Sequence, residues 1–251
     1  MEDLFGGAAP YYATHRHHHG ADAIAHLGAA LGPERRVLDL GCGPGTVAIP
    51  LSAYVREVIA VDPDEEMLAE GRRRSPANVR WIRSDSSRVR ELPAFDDAVM
   101  GRSFHWMDRT AVLNDFDALI PSDGAVCLVG PCRDPATPSW EPVTATVRAQ
   151  FGLQWRPTAQ SFEGSGLHHD EVIGRSAFSE VETTLFDWVL VRDVDDVVGL
   201  QLSYSYSAPA RLGDRVAAFT AALRAALLED CPDGMWEEHI TTEVLIARRP
   251  R

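Results

Sequence analysis

The chain has 251 residues, of which 45% are hydrophobic, and its formal net charge is −13. That length suits one large domain or two small ones, with enough apolar material for a core. The acidic charge argues against a nucleic-acid substrate, because proteins that bind DNA or RNA need a basic face. Residues 1–5 lack the basic start of a signal peptide, and no apolar run approaches the about 20 residues that span a bilayer. We therefore expect a cytoplasmic protein with no membrane partner.

The four cysteines are scattered along the chain, and no two of them stand at C-x-x-C spacing. They are Cys42, Cys127, Cys132 and Cys231. Cys42 falls in a glycine-rich turn and Cys127 in a predicted central strand. Free thiols in a reducing compartment are therefore the simplest interpretation, and no zinc site is predicted.

Apolar periodicity predicts strands that alternate with helices, a pattern typical of a mostly parallel sheet. In the first part of the chain the order is a helix over 21–31, strands over 36–40 and 57–61, a helix over 64–74, strands over 79–83 and 96–101, a helix over 111–119 and a strand over 125–130. Beyond Pro131, the order is a helix at about 139–151, a strand over 181–191, helices over 193–202 and 211–228, and a last strand over 241–247.

Residues 37–45, Val-Leu-Asp-Leu-Gly-Cys-Gly-Pro-Gly, carry the strongest signal in the chain. The apolar start fits a buried parallel strand, and Gly41, Gly43 and Gly45 follow at alternate positions before an amphipathic run. Glycines at such a turn allow a positive φ and let a ligand approach the backbone without meeting a Cβ. Asp39 places a carboxylate beside that ligand, which suits a cationic or hydroxylated group better than a pyrophosphate.

A second acid stands at the end of the next strand. Asp62 follows the apolar run 57–61 and is placed to accept hydrogen bonds from both hydroxyls of a ribose, so a nucleoside ligand is predicted. A Rossmann-like protein that binds NAD is one alternative. Its fingerprint is G-x-G-x-x-G, whereas this turn reads G-x-G-x-G with Pro44 between the last two glycines. The missing third glycine counts against NAD.

Residues 37–51, Val61–Asp64 and Met67–Leu68 together resemble the class I S-adenosylmethionine-dependent methyltransferases, and most of all their small-molecule branch, type 11. The resemblance covers residues 10–131 well and the final strand more loosely. It implies an α/β, Rossmann-like sheet of seven strands, mostly parallel with an antiparallel last strand, and helical insertions that form a lid. It also implies S-adenosyl-L-methionine as methyl donor and S-adenosyl-L-homocysteine as product.

The resemblance assigns roles to several residues. The glycine turn would hold the methionine moiety, Asp62 the ribose, and Met67 the adenine ring, while Asp85 and Ser86 would lie near the adenine amino group. The predicted cofactor-binding residues are Tyr12, Arg16, Asp39, Gly41, Cys42, Gly43, Gly45, Asp62, Pro63, Met67, Asp85, Ser86, Arg102, Ser103 and Trp106.

The segment from 11 to 19 combines aromatic, basic and histidine residues. By the same resemblance, Tyr12 would cover the cofactor and Arg16 would pair with its methionine carboxylate. Adjacent histidines do not point at a common centre on a helix or a strand, so the three consecutive histidines are predicted as a solvated turn rather than a metal site. His15 or His17 could still face the acceptor and act as a base.

The same resemblance divides the chain into a core and a lid. The predicted core comprises residues 1–131, 178–191 and 237–251, and it binds the cofactor. The predicted lid comprises residues 132–177 and 192–236, and it lies over the strand ends where ligands bind in open α/β sheets.

Methyl transfer from a sulfonium is an in-line displacement, so the acceptor lone pair must align with the methyl group away from water. An amine acceptor must also be neutral, which calls for a nearby base or a lowered amine pKa. The loop of residues 101–106 matches a family loop that lies against the methyl end of the cofactor. His105 is predicted as general base or acceptor-orienting residue, and a structural histidine that shapes the loop is the alternative.

The acceptor is predicted to be a cationic small molecule, because the acidic chain would steer one electrostatically, although acidity alone also serves solubility. N-methylation of an aminoglycoside antibiotic intermediate is the best match. O- or C-methylation of a neutral polyketide or quinone is the alternative, and a cofactor-binding protein without catalysis is a third. We expect a monomer or a homodimer. The candidate substrate-binding residues are Tyr11, Trp140, Tyr204, Tyr206, Glu237, Glu238 and His239.

Overall fold

The computed structural model describes residues 5–154, 157 and 159–251. In the described part of the chain, the strands are β1 (Arg36–Leu40), β2 (Glu57–Asp62), β3 (Val79–Arg83), β4 (Asp97–Gly101), β5 (Ala125–Pro131), β6 (Glu180–Asp193) and β7 (Met235–Arg248). They form one seven-stranded sheet in the order β3-β2-β1-β4-β5-β7-β6. The order reverses direction at β1 and β4, which is the switch point of an open α/β sheet.

The centre of the sheet is parallel and buried on both faces. Strand β1 pairs in parallel with β2 and with β4, and β4 pairs in parallel with β5. Strand β7 runs antiparallel to β5, with Ile246 opposite Cys127. Continuous apolar runs such as Val58–Val61 are typical of strands covered on both faces. The predicted fold class is confirmed.

The helices mostly follow the predicted pattern. They are α1 (Ala9–His15), α2 (Ala21–Leu31), α3 (Ala48–Leu51), α4 (Glu65–Arg72), α5 (Arg109–Leu119), α6 (Glu141–Gln150), α7 (Phe162–Ser165), α8 (His169–Gly174), α9 (Val194–Leu202), α10 (Pro209–Leu212) and α11 (Val216–Asp230). The single helix predicted over 211–228 is wrong. Gly213, with φ +55°, separates α10 from a short 3-10 turn that leads into α11, and glycine adopts that left-handed conformation without strain.

The last strand begins earlier than predicted. Strand β7 starts at Met235, so Glu237, Glu238 and His239 lie within it rather than before it. The buried face of this part of β7 carries Trp236 and then Glu238. A glutamate at a buried position breaks the apolar alternation on which a strand prediction depends.

The contacts of the chain divide it into two compact units. The larger unit comprises His18–Arg133, Pro157–Phe186 and Thr241–Arg251, and the smaller unit comprises Met1–His17, Asp134–Arg156 and Asp187–Ile240. The predicted division into core and lid stays a prediction.

In the larger unit, helices cover both faces of the sheet. Val37 of β1 packs in one apolar cluster with Leu27 of α2, whereas its neighbour Leu38 packs in a second cluster with Leu113 and Phe116 of α5. Alternate residues of one strand thus point to opposite faces. This layering leaves the strand ends, rather than the faces, available to a ligand.

The smaller unit has an apolar core of its own. Phe219, Leu223 and Leu227 form one buried face of α11 and pack with Val197 of α9 and Val147 of α6. The repeated spacing of four residues along α11 places these side chains on one face of the helix. Within the described residues, none of the helices has the length and apolarity that crossing a membrane requires.

Candidate functional site

The turn after β1 has the backbone geometry that its glycines predict. Gly41, Gly43 and Gly45 all have positive φ, at +74°, +53° and +87°. The amides of Gly41 and Cys42 both donate to the carbonyl oxygen of Val61, at 2.8 and 3.0 Å. The turn is therefore attached to the carboxyl end of β2.

Asp62 completes this attachment with its side chain. Its Oδ2 accepts the amide of Gly43 at 2.8 Å, and its Oδ1 accepts the amide of Asp64 at 2.9 Å. Burial raises the pKa of Asp62, and the two backbone hydrogen bonds oppose that rise. Because a carboxylate has about four lone-pair directions, each oxygen can still accept a hydroxyl.

Asp39 is buried beside the same turn, with 1% of its surface exposed. Its Oδ2 accepts the amide of Ala48 at 2.9 Å, at the start of α3. Burial raises the pKa of Asp39 to about 7, with a smaller rise from the charge of Asp62, while the bond from Ala48 lowers it. Near neutral pH this group therefore exists in both protonation states.

The loops after β1 and β4 pack tightly against each other. A Cβ on Gly41 would lie 2.5 Å from the Cβ of Ser103, and the Ser103 hydroxyl donates to the carbonyl of Leu40 at 2.6 Å. A Cβ on Gly101 would lie 2.5 Å from Cγ2 of Val47. Both glycines are required by this close approach.

One of the three consecutive histidines departs from the predicted solvated turn. His18 is exposed and accepts the amide of Gly20 through Nδ1 at 3.0 Å, but His19 is 1% exposed. Its Nε2 would lie 3.3 Å from a Cβ on Gly101. The prediction is wrong for His19, because the missing side chain of Gly101 leaves room for the imidazole.

The loop after β4 contains a strained residue. Among the described residues, Arg102 is the one non-glycine residue with a positive φ, at +56°. Its amide donates to Val129 of β5 at 3.1 Å, and a 3-10 turn over Phe104–Trp106 follows. Strain of this kind concentrates at functional sites, because the surroundings must impose it.

His105 lies half-buried in that turn, with its ring stacked on His169 at a centroid distance of 6.3 Å and an interplanar angle of 18°. Arg109 donates through Nη1 to Nδ1 of His169 at 3.0 Å. Because arginine has no acceptor, His169 must carry its proton on Nε2. Burial, and then the charge of Arg109, lower the pKa of His169 to about 4. His169 is thus a neutral imidazole against His105.

The predicted cofactor residues Pro63, Asp85 and Ser86 follow β2 and β3, and Met67 lies in α4. Asp64 caps α4 by accepting the amides of Glu66 and Met67. Met67 is buried at 4% exposure. Asp85 accepts the amide of Ser87 at 2.9 Å and thereby begins a 3-10 segment over Ser86–Glu91.

Trp81 of β3 packs against two glycines of the larger unit. A Cβ on Gly45 would lie 2.7 Å from Cη2 of Trp81, and one on Gly71 would lie 2.2 Å from the same atom. The Trp81 indole donates to the hydroxyl of Ser75 at 2.8 Å. One ring therefore supports both the glycine turn and helix α4.

A carboxylate that the sequence analysis missed lies at the same edge of the sheet. Glu243 of β7 stands opposite Gly130 at the carboxyl end of β5. Burial, and then the charge of Asp170, raise the pKa of Glu243, while Arg133 lowers it. Asp170 itself pairs with Arg133 at 2.7 Å. This position follows from the antiparallel register of β5 with β7, and that register cannot be derived from the sequence.

Tyr12 and Arg16 belong to the smaller unit. The Arg16 guanidinium lies between two aromatic faces, 4.9 Å from the centroid of Tyr12 and 4.3 Å from that of Tyr204. Its Nε donates to the hydroxyl of Ser203 at 3.0 Å. His15 faces α9, where its Nδ1 lies 3.1 Å from Oδ1 of Asp196.

The candidate substrate-binding residues are also in the smaller unit, in differing surroundings. Trp140 and Glu238 are buried, whereas Glu237 and His239 are exposed. The Tyr204 and Tyr206 rings stack at 5.1 Å, Tyr11 stacks on His15 at 6.4 Å, and the candidate base His17 meets Trp188 edge-on at 5.6 Å. Each unit therefore gathers its own subset of the predicted site residues. The larger unit gathers the glycine turn, the acids after β2 and β3 and the loop of His105.

Residues 37–124 match the family model described as a methyltransferase domain. An uncharacterized methyltransferase of Mycobacterium tuberculosis is 31% identical over 138 residues, which cover 53% of this chain and 54% of the relative. The chain spans about half the length of the curated relatives it matches.

Solved structures extend the likeness beyond residues 37–124 at the level of the fold. A candidate type II methyltransferase from Anaeromyxobacter dehalogenans has a TM-score of 0.63 and 20% identity, and the match covers 93% of this chain and 97% of that one. A methyltransferase from Geobacter sulfurreducens, solved with S-adenosylhomocysteine, has a TM-score of 0.55 and 15% identity over 99% of each chain.

The raised pKa of Asp39 predicts a pH dependence of the stability of the chain. The ordinary aspartate pKa of 3.8 rises to about 7 on folding, so the stabilisation from the retained proton is complete below about pH 3.8 and is lost by about pH 7. We expect the wild-type free energy of unfolding to fall relative to Asp39→Asn between pH 5 and 7, by at most about 1.4 kcal/mol per pH unit, and then to level off.

Urea unfolding from pH 5 to 8 measures this difference. The exposed Asp123→Asn is the matched control, and its stability should run parallel to the wild type. Parallel curves for Asp39→Asn as well would contradict the raised pKa.

Proposed function

We propose that the chain is an S-adenosylmethionine-dependent methyltransferase of small molecules. The observation that carries this proposal is the glycine turn held on the half-buried carboxylate of Asp62 at the switch point of the sheet. The match of residues 37–124 to a methyltransferase domain supports it. So does the Geobacter structure of the same fold, which holds S-adenosylhomocysteine, the product of this donor.

The residues of the larger unit fit this donor. Asp62 keeps acceptor capacity on both oxygens, as two ribose hydroxyls require. The positive φ values of Gly41, Gly43 and Gly45 shape the turn that is proposed to hold the methionine moiety, and Met67 is the residue assigned to the adenine ring. Asp85 and Ser86 are assigned to the adenine amino group. The proposed remainder of the cofactor set is Tyr12, Arg16, Asp39, Cys42, Pro63, Arg102, Ser103 and Trp106.

When bound, S-adenosylmethionine supplies a methyl group on a sulfonium. The residues of this chain must then align the acceptor, exclude water and manage a proton. The acceptor nitrogen forms the new N–C bond as the C–S bond breaks, and the bonding pair leaves with sulfur. A protonated amine has no lone pair, so its proton must first pass to a base. His105, with neutral His169 against it, is the proposed base, and His15 and His17 are the other candidates.

The proposed acceptor is an amine of a cationic small molecule, and an aminoglycoside intermediate is the class to test. The net charge of −13 supports electrostatic attraction of a cation. Glu243 is the carboxylate at which we propose that the cation binds. Burial and its neighbour Asp170 oppose ionisation of this carboxylate, and a bound ammonium would relieve both costs.

An oxygen acceptor is the second candidate. The observation in its favour is that Glu238, within the proposed acceptor surface, is already paired with Arg192 at 2.5 Å. Glu141 of the same unit pairs with Arg148. Carboxylates whose charge is compensated by arginines attract a polyamine only weakly, so a neutral or anionic molecule would suit this unit better.

Asp62→Asn should weaken cofactor binding by at least about tenfold. The amide can accept only through its oxygen, so its nitrogen would oppose a backbone amide or a ribose hydroxyl. Calorimetric titration with S-adenosylhomocysteine measures the change. Asp123→Asn should bind as the wild type does, and an unchanged affinity in folded Asp62→Asn would refute the site.

His105→Ala should lower kcat by about 10²-fold to 10⁴-fold, the range expected for loss of a general base. The cofactor Kd should stay within about twofold of the wild type, because the base acts on the acceptor. The exposed His18→Ala serves as the control for removal of an imidazole. A full kcat in His105→Ala would assign this histidine a structural role only.

Mass spectrometry with S-adenosylmethionine and kanamycin- or gentamicin-type acceptors tests the acceptor. We expect the addition of one methyl group to nitrogen, and a KM raised about tenfold in Glu243→Gln because one charge-assisted contact is lost. Glu34→Gln, an exposed substitution of the same kind, is the control. Methylation of polyketides or quinones alone would favour the second candidate, and cofactor binding without turnover on any acceptor would favour a non-catalytic protein.

A further inference from the structure

Arg109 is a buried arginine with no carboxylate to compensate its charge among the residues that the structure describes. It is the first residue of α5, and only 2% of its surface is exposed. Burial lowers the pKa of this guanidinium, and no described carboxylate acts in the opposite direction. Its Nε is also buried without an acceptor in the described chain. Because an unpaired buried charge costs stability, a purely structural site would favour an apolar residue here.

The side-chain hydrogen bonds of Arg109 within the described chain end on one short segment, residues 165–169. Its Nη2 donates to the hydroxyl of Ser165 at 2.8 Å. Its Nη1 donates to the carbonyl oxygen of Leu167 and to Nδ1 of His169, both at 3.0 Å. The rigid planar fork of an arginine fixes the directions of all three bonds. One side chain of α5 therefore holds the connection between α7 and α8.

Both sides of this attachment are ordered. On one side, Leu113 of α5 packs with Leu38 of β1 in one buried apolar cluster, which fixes the helix on the sheet. On the other side, the Ser165 hydroxyl donates to the carbonyl oxygen of Ser161 at 2.7 Å and accepts the amide of Leu167 at 3.2 Å. The position of the segment is therefore set by the sheet, through the guanidinium that joins the two sides.

His169 carries this attachment to the loop of the proposed base. Its ring meets the buried ring of Phe104 edge-on, at a centroid distance of 5.2 Å, and stacks on His105 at 6.3 Å. Because Arg109 donates to its Nδ1, the ring holds one tautomer, with the proton on Nε2. The contacts close on themselves, since the turn of Phe104 and His105 leads into α5, which begins with Arg109. A displaced guanidinium would therefore displace the ring that lies against His105.

We propose that Arg109 is a positioning residue for His105, which it places by holding the ring of His169 against the 3-10 turn. The proposal rests on the proposed function, in which His105 takes the proton of the acceptor. A base acts only within hydrogen-bond reach of that proton, and a displacement of about 1 Å can lower a rate by about 10²-fold. Arg109 takes no proton itself, because a guanidinium has no acceptor. Its buried charge is then retained for catalysis rather than for stability.

Nuclear magnetic resonance of the imidazole nitrogens tests the positioning without any acceptor. The sample is the full chain with isotope-labelled histidine, and His105→Ala and His169→Ala assign the two sets of resonances. In the wild type, His169 should show its proton on Nε2 from about pH 5 to about pH 8, because its pKa is about 4. Arg109→Lys keeps the charge without the fork, so both tautomers of His169 should appear and the resonances of His105 should shift.

Arg175→Lys is the matched control. Arg175 is exposed in the same unit, and its substitution should leave both histidines unchanged. Unshifted His105 resonances in folded Arg109→Lys would overturn the proposal. If Arg109→Lys does not fold, His169→Ala should shift the resonances of His105 in its place, because it removes the ring that lies against the turn.

The kinetics use S-adenosylmethionine and the kanamycin- or gentamicin-type acceptor that mass spectrometry shows to be methylated. Arg109→Lys should lower kcat by about tenfold to hundredfold and leave the KM of the acceptor within about twofold. In the His105→Ala background, the same substitution should cause no further loss, because the group that it places is gone. Equal losses in both backgrounds would show a general structural effect and overturn the proposal. A full kcat in His105→Ala, with His105 still shifted by Arg109→Lys, confirms the placement and refutes only the base.

Discussion

The carboxylate of Asp62 holds the turn after β1 on the end of β2, and the geometry of the larger unit's site depends on this attachment. Its two oxygens bind amides on both loops. Three glycines with positive φ at alternate positions would otherwise give a flexible turn, because glycine loses the most entropy on folding. The same group that orders the loop also keeps lone pairs for a ribose. Preorganisation and recognition thus come from one side chain.

The two units use charge in different ways. The larger unit places acids at its strand ends, with the pKa values of Asp39, Asp62 and Glu243 all raised by burial. The smaller unit instead pairs its buried arginines with carboxylates, Arg148 with Glu141 and Arg192 with Glu238. Buried charges are costly unless paired, so the two units differ in how much charge they can offer to a ligand. The net charge of the whole chain reports only their sum.

Local patterns made much of this structure predictable. The glycine turn, Asp62 and the strands β1 to β5 follow from apolar runs that end in special residues, and no long-range information is needed. Glu243 and the start of β7 did not follow, because antiparallel register and a buried glutamate carry no apolar signal. His169 also did not follow. Its significance depends on which neighbours lie against its ring, and that is settled only by the tertiary fold.

Trp81 joins three positions that are far apart in the chain. Its ring occupies the space that a side chain would need at residue 45 or residue 71. The size of residue 81 therefore decides what the other two positions can hold. In a related protein with a smaller residue on β3, alanine or serine could replace the glycine on α4 without loss of packing. Sequence change at these three positions should be coupled, although only one of them belongs to the turn.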